Sequence, residues 1–403
     1  MKIGIITYHS VYNFGANLQV LSTVGYLKNV GFEPIVINWI PEDLEVRYTK
    51  TIPKIQADAH KKFIKNYLPC SDICRTESDI VQVIENQNIR GIIIGSDAVL
   101  QHSTLFSRIH LRKKGIIIDP KPETDVLFPN PFWGSFIPYL KEKIPVVVMS
   151  ASSQHSEFKY IRGRLKKKIN YSLCQFKSIT VRDDWTRKMV KYLTNGAIIP
   201  SITPDPVFAF NQNVKEQYSK DEILNKFKLP DKYILLSFRD TKVVSKEWLR
   251  LFQLIAEENN LQCVALTMPA GINFEPPFPK AVGSPLCPKE WYALIKYSSG
   301  YIGENMHPII VALHNVVPFY SFDPYGIVKY KFFVKEDSSK IHDILSQAGF
   351  LKNRISNLGK AYKCPSPEEV FLQIKDFDSA KCDLYSNNQQ DRYNSMMKDI
   401  TSF

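Results

Sequence analysis

The 403-residue chain lacks most of the signatures by which an enzyme class is read at sight. It contains no G-x-G-x-x-G and no G-x-x-x-x-G-K-[ST], so neither nicotinamide nor P-loop chemistry is expected. A G-x-S-x-G nucleophile elbow is also missing. No stretch approaches the ~18 uninterrupted apolar residues that a membrane span needs. Met1-Lys2-Ile3-Gly4-Ile5-Ile6-Thr7 has too few apolar residues before Tyr8-His9-Ser10 for a signal peptide; it reads as a first β-strand, and the protein as cytoplasmic. The cysteines at 70, 74, 174, 263, 287, 364 and 382 are odd in number and dispersed, which argues against a disulfide framework. Cys70 and Cys74 are the one close pair; a structural zinc site would need a second, so no metal is expected. Long repeats and low-complexity tracts are absent.

What remains is an ordinary globular composition, 44% hydrophobic and 23% charged. The length suits two or three domains. Lys and Arg number 52 against 40 Asp and Glu, a formal charge of +12. Such a balance favours anionic partners: nucleic acid, an acidic membrane face, or phosphorylated and carboxylated small molecules. The charge is spread out. Its densest cluster is Arg162-Gly163-Arg164-Leu165-Lys166-Lys167-Lys168, readable either as a solvated helix face or as a contact with anionic lipid or a lipid-linked diphosphate.

Short apolar runs that end in small or charged residues predict a parallel α/β sheet. Residues 3–7 form a strand, followed by a loop through Asn13 and Gly15. A helical pattern with Leu18, Leu21, Val24 and Leu27 closes at Gly31, and a second strand starts at Pro34. Ile92-Ile93-Ile94 before Gly95-Ser96-Asp97, Val146-Val147-Val148-Met149 before Ser150, and Ile179-Thr180-Val181 before Arg182 continue the series. Thr203-Pro204-Asp205-Pro206 and the polar stretch 211–220 read as a linker. A second series begins at Tyr233 and continues at Val264, Gly300 and Pro318. The expected architecture is two tandem Rossmann-like domains, 1–210 and 211–350, with a helical tail, 351–403, that crosses back onto the first. Functional groups in such sheets collect at the carboxyl ends of strands.

The sharpest constellation is Gly303-Glu304-Asn305-Met306-His307-Pro308. Pro308 suits the first helical position, which makes His307 the expected cap at a helix N-terminus, an anion-friendly place. A histidine there either binds phosphate or carboxylate and moves protons, or only caps the helix. His314 reads as structural. Arg182, followed by Asp183 and Asp184, and Arg239, followed by Asp240, each end a strand; they suit bidentate anion binding or plain Arg–Asp pairing. The loop with Asn13, Gly15 and Asn17 has the small residues that let backbone approach a ligand. Together these suggest a cleft enzyme for anionic substrates that works by positioning and electrostatics.

The chain resembles the polysaccharide pyruvyl transferase family. The resemblance is carried by Asn13-Phe14-Gly15-Ala16-Asn17-Leu18-Gln19 (N-x-G-A-x-L-Q in many members), Ile94-Gly95-Ser96-Asp97 and Ser178-Ile179-Thr180-Val181-Arg182-Asp183. Pro204-Asp205-Pro206-Val207-Phe208 and Asn305-Met306-His307, at the family's R-x-H site, complete an ordered set over roughly residues 1–330. It implies a GT-B-type fold and transfer of the enolpyruvyl unit of phosphoenolpyruvate onto two hydroxyls of a sugar, which forms a pyruvate ketal and releases phosphate. It further implies that Arg182 and His307, as catalytic residues, contact the donor's phosphate and carboxylate; because a histidine can titrate near the working pH, His307 is the expected proton donor. Asn13, Gly15, Asn17, Ser96, Asp97, Arg239, Asn305, Lys329 and Lys331 are the implied substrate-binding residues. No cofactor beyond the donor is implied. The partner is a glycan acceptor, free or lipid-linked, of a bacterial capsule or exopolysaccharide, and a peripheral contact with the anionic inner membrane face fits the basic charge.

Besides Ala98 and Leu100, which stand where many members have glutamine and tryptophan, two positions depart from the family pattern. Asn305 replaces an arginine two residues before the histidine, and Asp323-Pro324-Tyr325 stands where Asp-Pro-Lys is common. Arg239, Lys329 or Lys331 would have to supply the missing charge. The rival expectations are a nucleotide-sugar glycosyltransferase of the same fold and a non-catalytic nucleic-acid binder. The latter is disfavoured by the dispersed basic residues and the lack of an aromatic-basic recognition motif.

Overall fold

The computed structural model describes the chain except residues 113, 114, 155, 240, 241, 330–332 and 403; the side chains of 48, 49, 110–112 and 329 are also not described. In chain order the N-terminal lobe has strands β1 (Lys2–Ile6), β2 (Glu33–Trp39), β3 (Cys70–Cys74), β4 (Gly91–Asp97), β5 (Ile109–Arg112), β6 (Gly115–Ile118), β7 (Val146–Ala151), β8 (Ser178–Val181) and β9 (Ser201–Ile202). The C-terminal lobe has β10 (Tyr233–Ser237), β11 (Gln262–Leu266), β12 (Ala281–Val282), β13 (Gly300–Gly303), β14 (Phe319–Asp323), β15 (Ile327–Lys329), β16 (Phe333–Lys335) and β17 (Arg354–Ser356).

Seven strands form the first sheet in the order β3-β2-β1-β4-β7-β8-β9, and six form the second in the order β12-β11-β10-β13-β14-β17. The pairings within both are parallel. β5–β6 and β15–β16 are separate antiparallel hairpins. The central strands are apolar on both faces because helices cover both: Ile92, Ile93 and Ile94 are fully buried, as are Ile234, Leu235 and Leu236.

Strand order reverses direction between β1 and β4 in one lobe and between β10 and β13 in the other. At such a switch point the connections leave to opposite sides and open a crevice at the carboxyl ends of the strands. The chain thus places the 13–17 turn and Asp97 at one crevice, and Arg239 and Asn305 at the other.

The first helix, Phe14–Asn29, begins on Asn13, whose side-chain oxygen accepts from the Gly15 and Ala16 amides. It ends as the leucine spacing predicts. Phe32 N–H donates to the Leu27 carbonyl, and Gly31 takes φ +86°, a left-handed residue where glycine has no Cβ to clash. This helix is buried between the lobes. Phe14 stacks on His60 of its own lobe, 5.1 Å between ring centres, and on Trp291 of the other, 5.2 Å.

Two boundaries differ from the sequence reading. The expected linker is packed: Val207, Phe208, Ala209 and Phe210 are buried against the first helix and the helix Met306–His314. The prolines end the strand, but the apolar tetrapeptide after them has a core to enter. The tail is also shorter than 351–403. β17 joins the second sheet and the helix Pro367–Lys375 packs on Lys246–Glu258 of that lobe. The helix Ser379–Ile400 does cross back. Its Cys382 and Ser386 touch the carbonyls of Leu313 and His314 in one lobe. In the other, Arg392 donates to the Ile202 carbonyl and Tyr393 meets Tyr26 edge-on.

Candidate active site between the two sheets

The crevices face one another across a cleft of about 1020 Å³. From the N-terminal lobe it is lined by Asn13, Gly15 and Asp97, and from the C-terminal lobe by Arg239, Asn305, His307, Tyr325 and Lys340.

His307 is not the cap of its helix. Asn305 occupies the N-cap and the helix starts at Met306, which puts the imidazole in the first turn. Pro308 is accommodated because amides of the first turn lack intrahelical partners in any case. From there the ring reaches the other lobe and lies on Gly15. A methyl group at residue 15 would stand 2.0 Å from His307 Cγ and 2.2 Å from Nδ1, so only glycine admits this contact.

Beneath the imidazole lies a buried ionic cluster. Asp205 Oδ2 accepts from Arg182 Nη1 at 2.7 Å and from Gln19 Nε2 at 2.5 Å, and stands 3.9 Å from His307 Nε2. Arg182 Nη2 lies 3.6 Å from Asp97 Oδ1. Asp97 takes a left-handed backbone (φ +85°), a conformation that costs energy for a residue with a Cβ and is held by its surroundings. Burial opposes the Arg182 charge, but Asp205 and Asp97 outweigh it and hold the guanidinium protonated. For Asp97, burial favours the neutral acid; Arg182, then His307 and Lys340, reverse this and keep the carboxylate ionised. Burial also dominates at His307. It outweighs the pull of Asp205 and Asp97 and moves the imidazole down to about 4, so the ring is neutral near pH 7.

Other cations line the cleft among the described residues: Lys121, Arg47, which pairs with Glu123 at 2.7 Å, Arg239 and Lys340. Arg239 Nη2 donates to Asn305 Oδ1 at 3.0 Å and to the Tyr325 hydroxyl at 2.7 Å. Lys340 Nζ lies over the Tyr325 ring, 4.3 Å from its centre, and the Arg239 guanidinium lies 5.1 Å from that same centre. Among the described residues neither cation has a salt-bridge partner. Two positive groups therefore flank one tyrosine at the cleft wall and are available to an anion.

Against the sequence reading, the cleft brings together His307, Asn13, Gly15, Asp97, Arg239 and Asn305. Arg182 is 3% exposed, lies under the cleft floor and spends its charge on two carboxylates, so it does not reach a ligand in the cleft. Asn17 is buried and ties the turn together by donating to the His9 carbonyl at 2.8 Å. Ser96 is buried, its carbonyl accepting from Thr7 Oγ1 at 2.9 Å. The Lys329 side chain and all of Lys331 lie outside the described residues. Three participants were not foreseen as site residues: Asp205, Tyr325 and Lys340. Asp205 carried a signal, since an acid fixed between two prolines is poorly explained as a linker. Lys340 carried none, because it reaches the cleft from the helix Lys340–Ala348, far from any motif.

The architecture has solved counterparts. UDP-GlcNAc 2-epimerase from Neisseria meningitidis, bound to UDP-GlcNAc, aligns over 99% of each chain with a TM-score of 0.57 at 8% identity. The spinosyn forosaminyltransferase SpnP aligns over 100% of each chain at 0.52 and 11% identity, and UGT89C1 of Arabidopsis thaliana over 99% of each at 0.52 and 8%. Likeness at these identities is one of fold: two Rossmann-like lobes of GT-B type. No curated protein matches the sequence significantly. Among the described residues, no helix is long and apolar enough to cross a membrane. The model of the polysaccharide pyruvyl transferase family matches residues 13–324, about three quarters of the chain, from the Asn13 cap through the His307 helix to the Pro324 turn, and the protein belongs to that family of transferases.

Proposed function

We propose that the protein transfers the enolpyruvyl unit of phosphoenolpyruvate to two hydroxyls of a sugar and releases phosphate. The observation that carries this reading is the pairing of Arg239 and Lys340, neither with an acidic partner among the described residues, beside a buried neutral imidazole in one interlobe cleft. A donor with a phosphate and a carboxylate offers two negative groups to two cations. The imidazole then meets a negative charge that opposes the desolvation which keeps it neutral. Donor binding thereby raises its proton affinity and loads the acid where it is needed.

In the reaction His307 gives its proton to the methylene carbon of the donor, and C2 becomes an oxocarbenium-like electrophile. A sugar hydroxyl adds to C2. The ionised Asp97, at the opposite wall, accepts the hydroxyl proton. The C2–O bond to phosphate breaks with its electron pair, leaving C2 an oxocarbenium again; the neighbouring hydroxyl adds to C2 and closes the ketal, and its proton leaves on the departing phosphate. Arg182 and Asp205 act as positioning residues: they hold Asp97 charged and His307 in place without touching substrate.

Thermal-shift titration separates this reading from transfer of a nucleotide sugar. Phosphoenolpyruvate is expected to stabilise the protein, and UDP- and GDP-sugars are not. Arg239→Ala and Lys340→Ala should each weaken the donor about 10–100-fold, the loss of one charge-assisted contact of about 1.5–3 kcal/mol. Stabilisation by nucleotide sugars alone would reject the proposal.

A further inference from the structure

An exposed apolar patch on the N-terminal lobe has no part in this reaction. β6 presents Ile116, Ile117 and Ile118 at 67%, 44% and 56% exposure. The short helix Phe106–Arg108 at the root of β5 adds Phe106, 63% exposed, which stacks on the exposed Tyr160 at 5.5 Å. Among the described residues β5 and β6 pair only with each other, so a two-stranded ribbon carries exposed isoleucines on both faces. An apolar cluster of this kind on a soluble surface marks a contact. It sits at the mouth of the cleft: Gln101 and Ser103 before the hairpin and Lys121 after it are lining residues.

The neighbouring surface is cationic. Tyr160 leads directly into the helix Gly163–Leu173, where Arg162, Arg164, Lys167 and Lys168 are exposed and none has a salt bridge among the described residues. In sequence, 105–119 and 157–171 together hold ten Lys and Arg against two acids, Asp119 and Glu157. Apolar side chains that insert, beside cations that stay at headgroup level, are what an interfacial membrane contact requires. A protein partner would also bury the isoleucines, but the one-signed charge favours an anionic surface.

We propose that this face seats the cleft mouth on an anionic lipid bilayer. If the transfer reaction is as argued above, the acceptor is then a glycan carried on a membrane lipid; the binding itself does not depend on that reading. The test is cosedimentation of the full chain, without substrate, with vesicles of phosphatidylcholine alone or with added phosphatidylglycerol. Binding is expected only to the anionic vesicles and should weaken with salt. The pair Lys167→Gln/Lys168→Gln should lower partitioning about tenfold or more, at roughly fivefold for each basic side chain. Ile117→Ser/Ile118→Ser, at exposed positions outside the cleft, should lower it comparably with an unchanged circular dichroism spectrum. Equal binding to both vesicle types, binding to neither, or a dimer that needs the same isoleucines would overturn the proposal.

Discussion

His307 lies on Gly15 because the first turn of one helix meets the first turn of another across the lobes, and the contact leaves no room for a side chain. Gly15→Ala should therefore lower kcat/KM at least ~100-fold through displacement of a single proton-transfer group, while the circular dichroism spectrum stays native; retained activity would detach the imidazole from the chemistry. Its resting neutrality gives a second expectation. Around pH 6 the free ring, at about 4, binds no proton, and donor binding should take one up. Calorimetry in buffers of different ionisation enthalpy reads this directly, and uptake near zero would contradict the assigned acid. Asp205 supports the cluster from below. Asp205→Asn leaves Arg182 buried with half its compensation and should cost about 3–5 kcal/mol in urea unfolding. Sequence reasoning pointed to His307, Asp97 and Arg239, each at or just after a strand's carboxyl end, and all three line the cleft. It misjudged Arg182. A strand-end arginine looks the same whether its carboxylates come from the ligand or from distant turns at 97 and 205.

Elements were more legible than residues. β-branched runs marked the buried strands, since helices on both faces leave no position for polar residues, and the leucine spacing with Gly31 marked both ends of the first helix. Contacts between lobes were hidden, because they depend on which distant surfaces meet. The helix Lys340–Ala348 shows what lies there. Besides Lys340 it brings Asp343 toward Asp183 and Asp184 of the other lobe, and burial, followed by the charge on Asp183, pushes Asp343 up to about 7. A raised carboxyl destabilises the folded state only when ionised. The cost is absent below the usual range near ~3.9, grows above it and is complete above about 7. Asp343→Asn should accordingly raise the melting temperature at pH 8 and leave it unchanged at pH 4; the reverse order would show that the carboxylate is favourably paired. The helix Ser379–Ile400 is a second such element. Tyr393, fully buried against Tyr26, bridges it to the first helix. Tyr393→Ala should cost about 3–5 kcal/mol.

At the scale of the molecule, two switch points face each other so that each lobe supplies what the other lacks. The N-terminal lobe brings Asp97 and, through Gly15, room for the imidazole; the C-terminal lobe brings His307, Arg239 and Lys340. The two-lobe plan followed from strand spacing. Of the two cations, Arg239 is the one the sequence offers for the charge missing at Asn305; Lys340 is not, since it comes from a helix outside every motif. The most direct measurement is to incubate the enzyme with phosphoenolpyruvate and candidate free or lipid-linked glycans, follow phosphate release, and weigh the acceptor. Acceptor-dependent phosphate release, with a mass gain equal to one pyruvate ketal and abolished in His307→Ala, is the predicted result. A hexose-sized gain from a nucleotide sugar, with no phosphate from phosphoenolpyruvate, would contradict it.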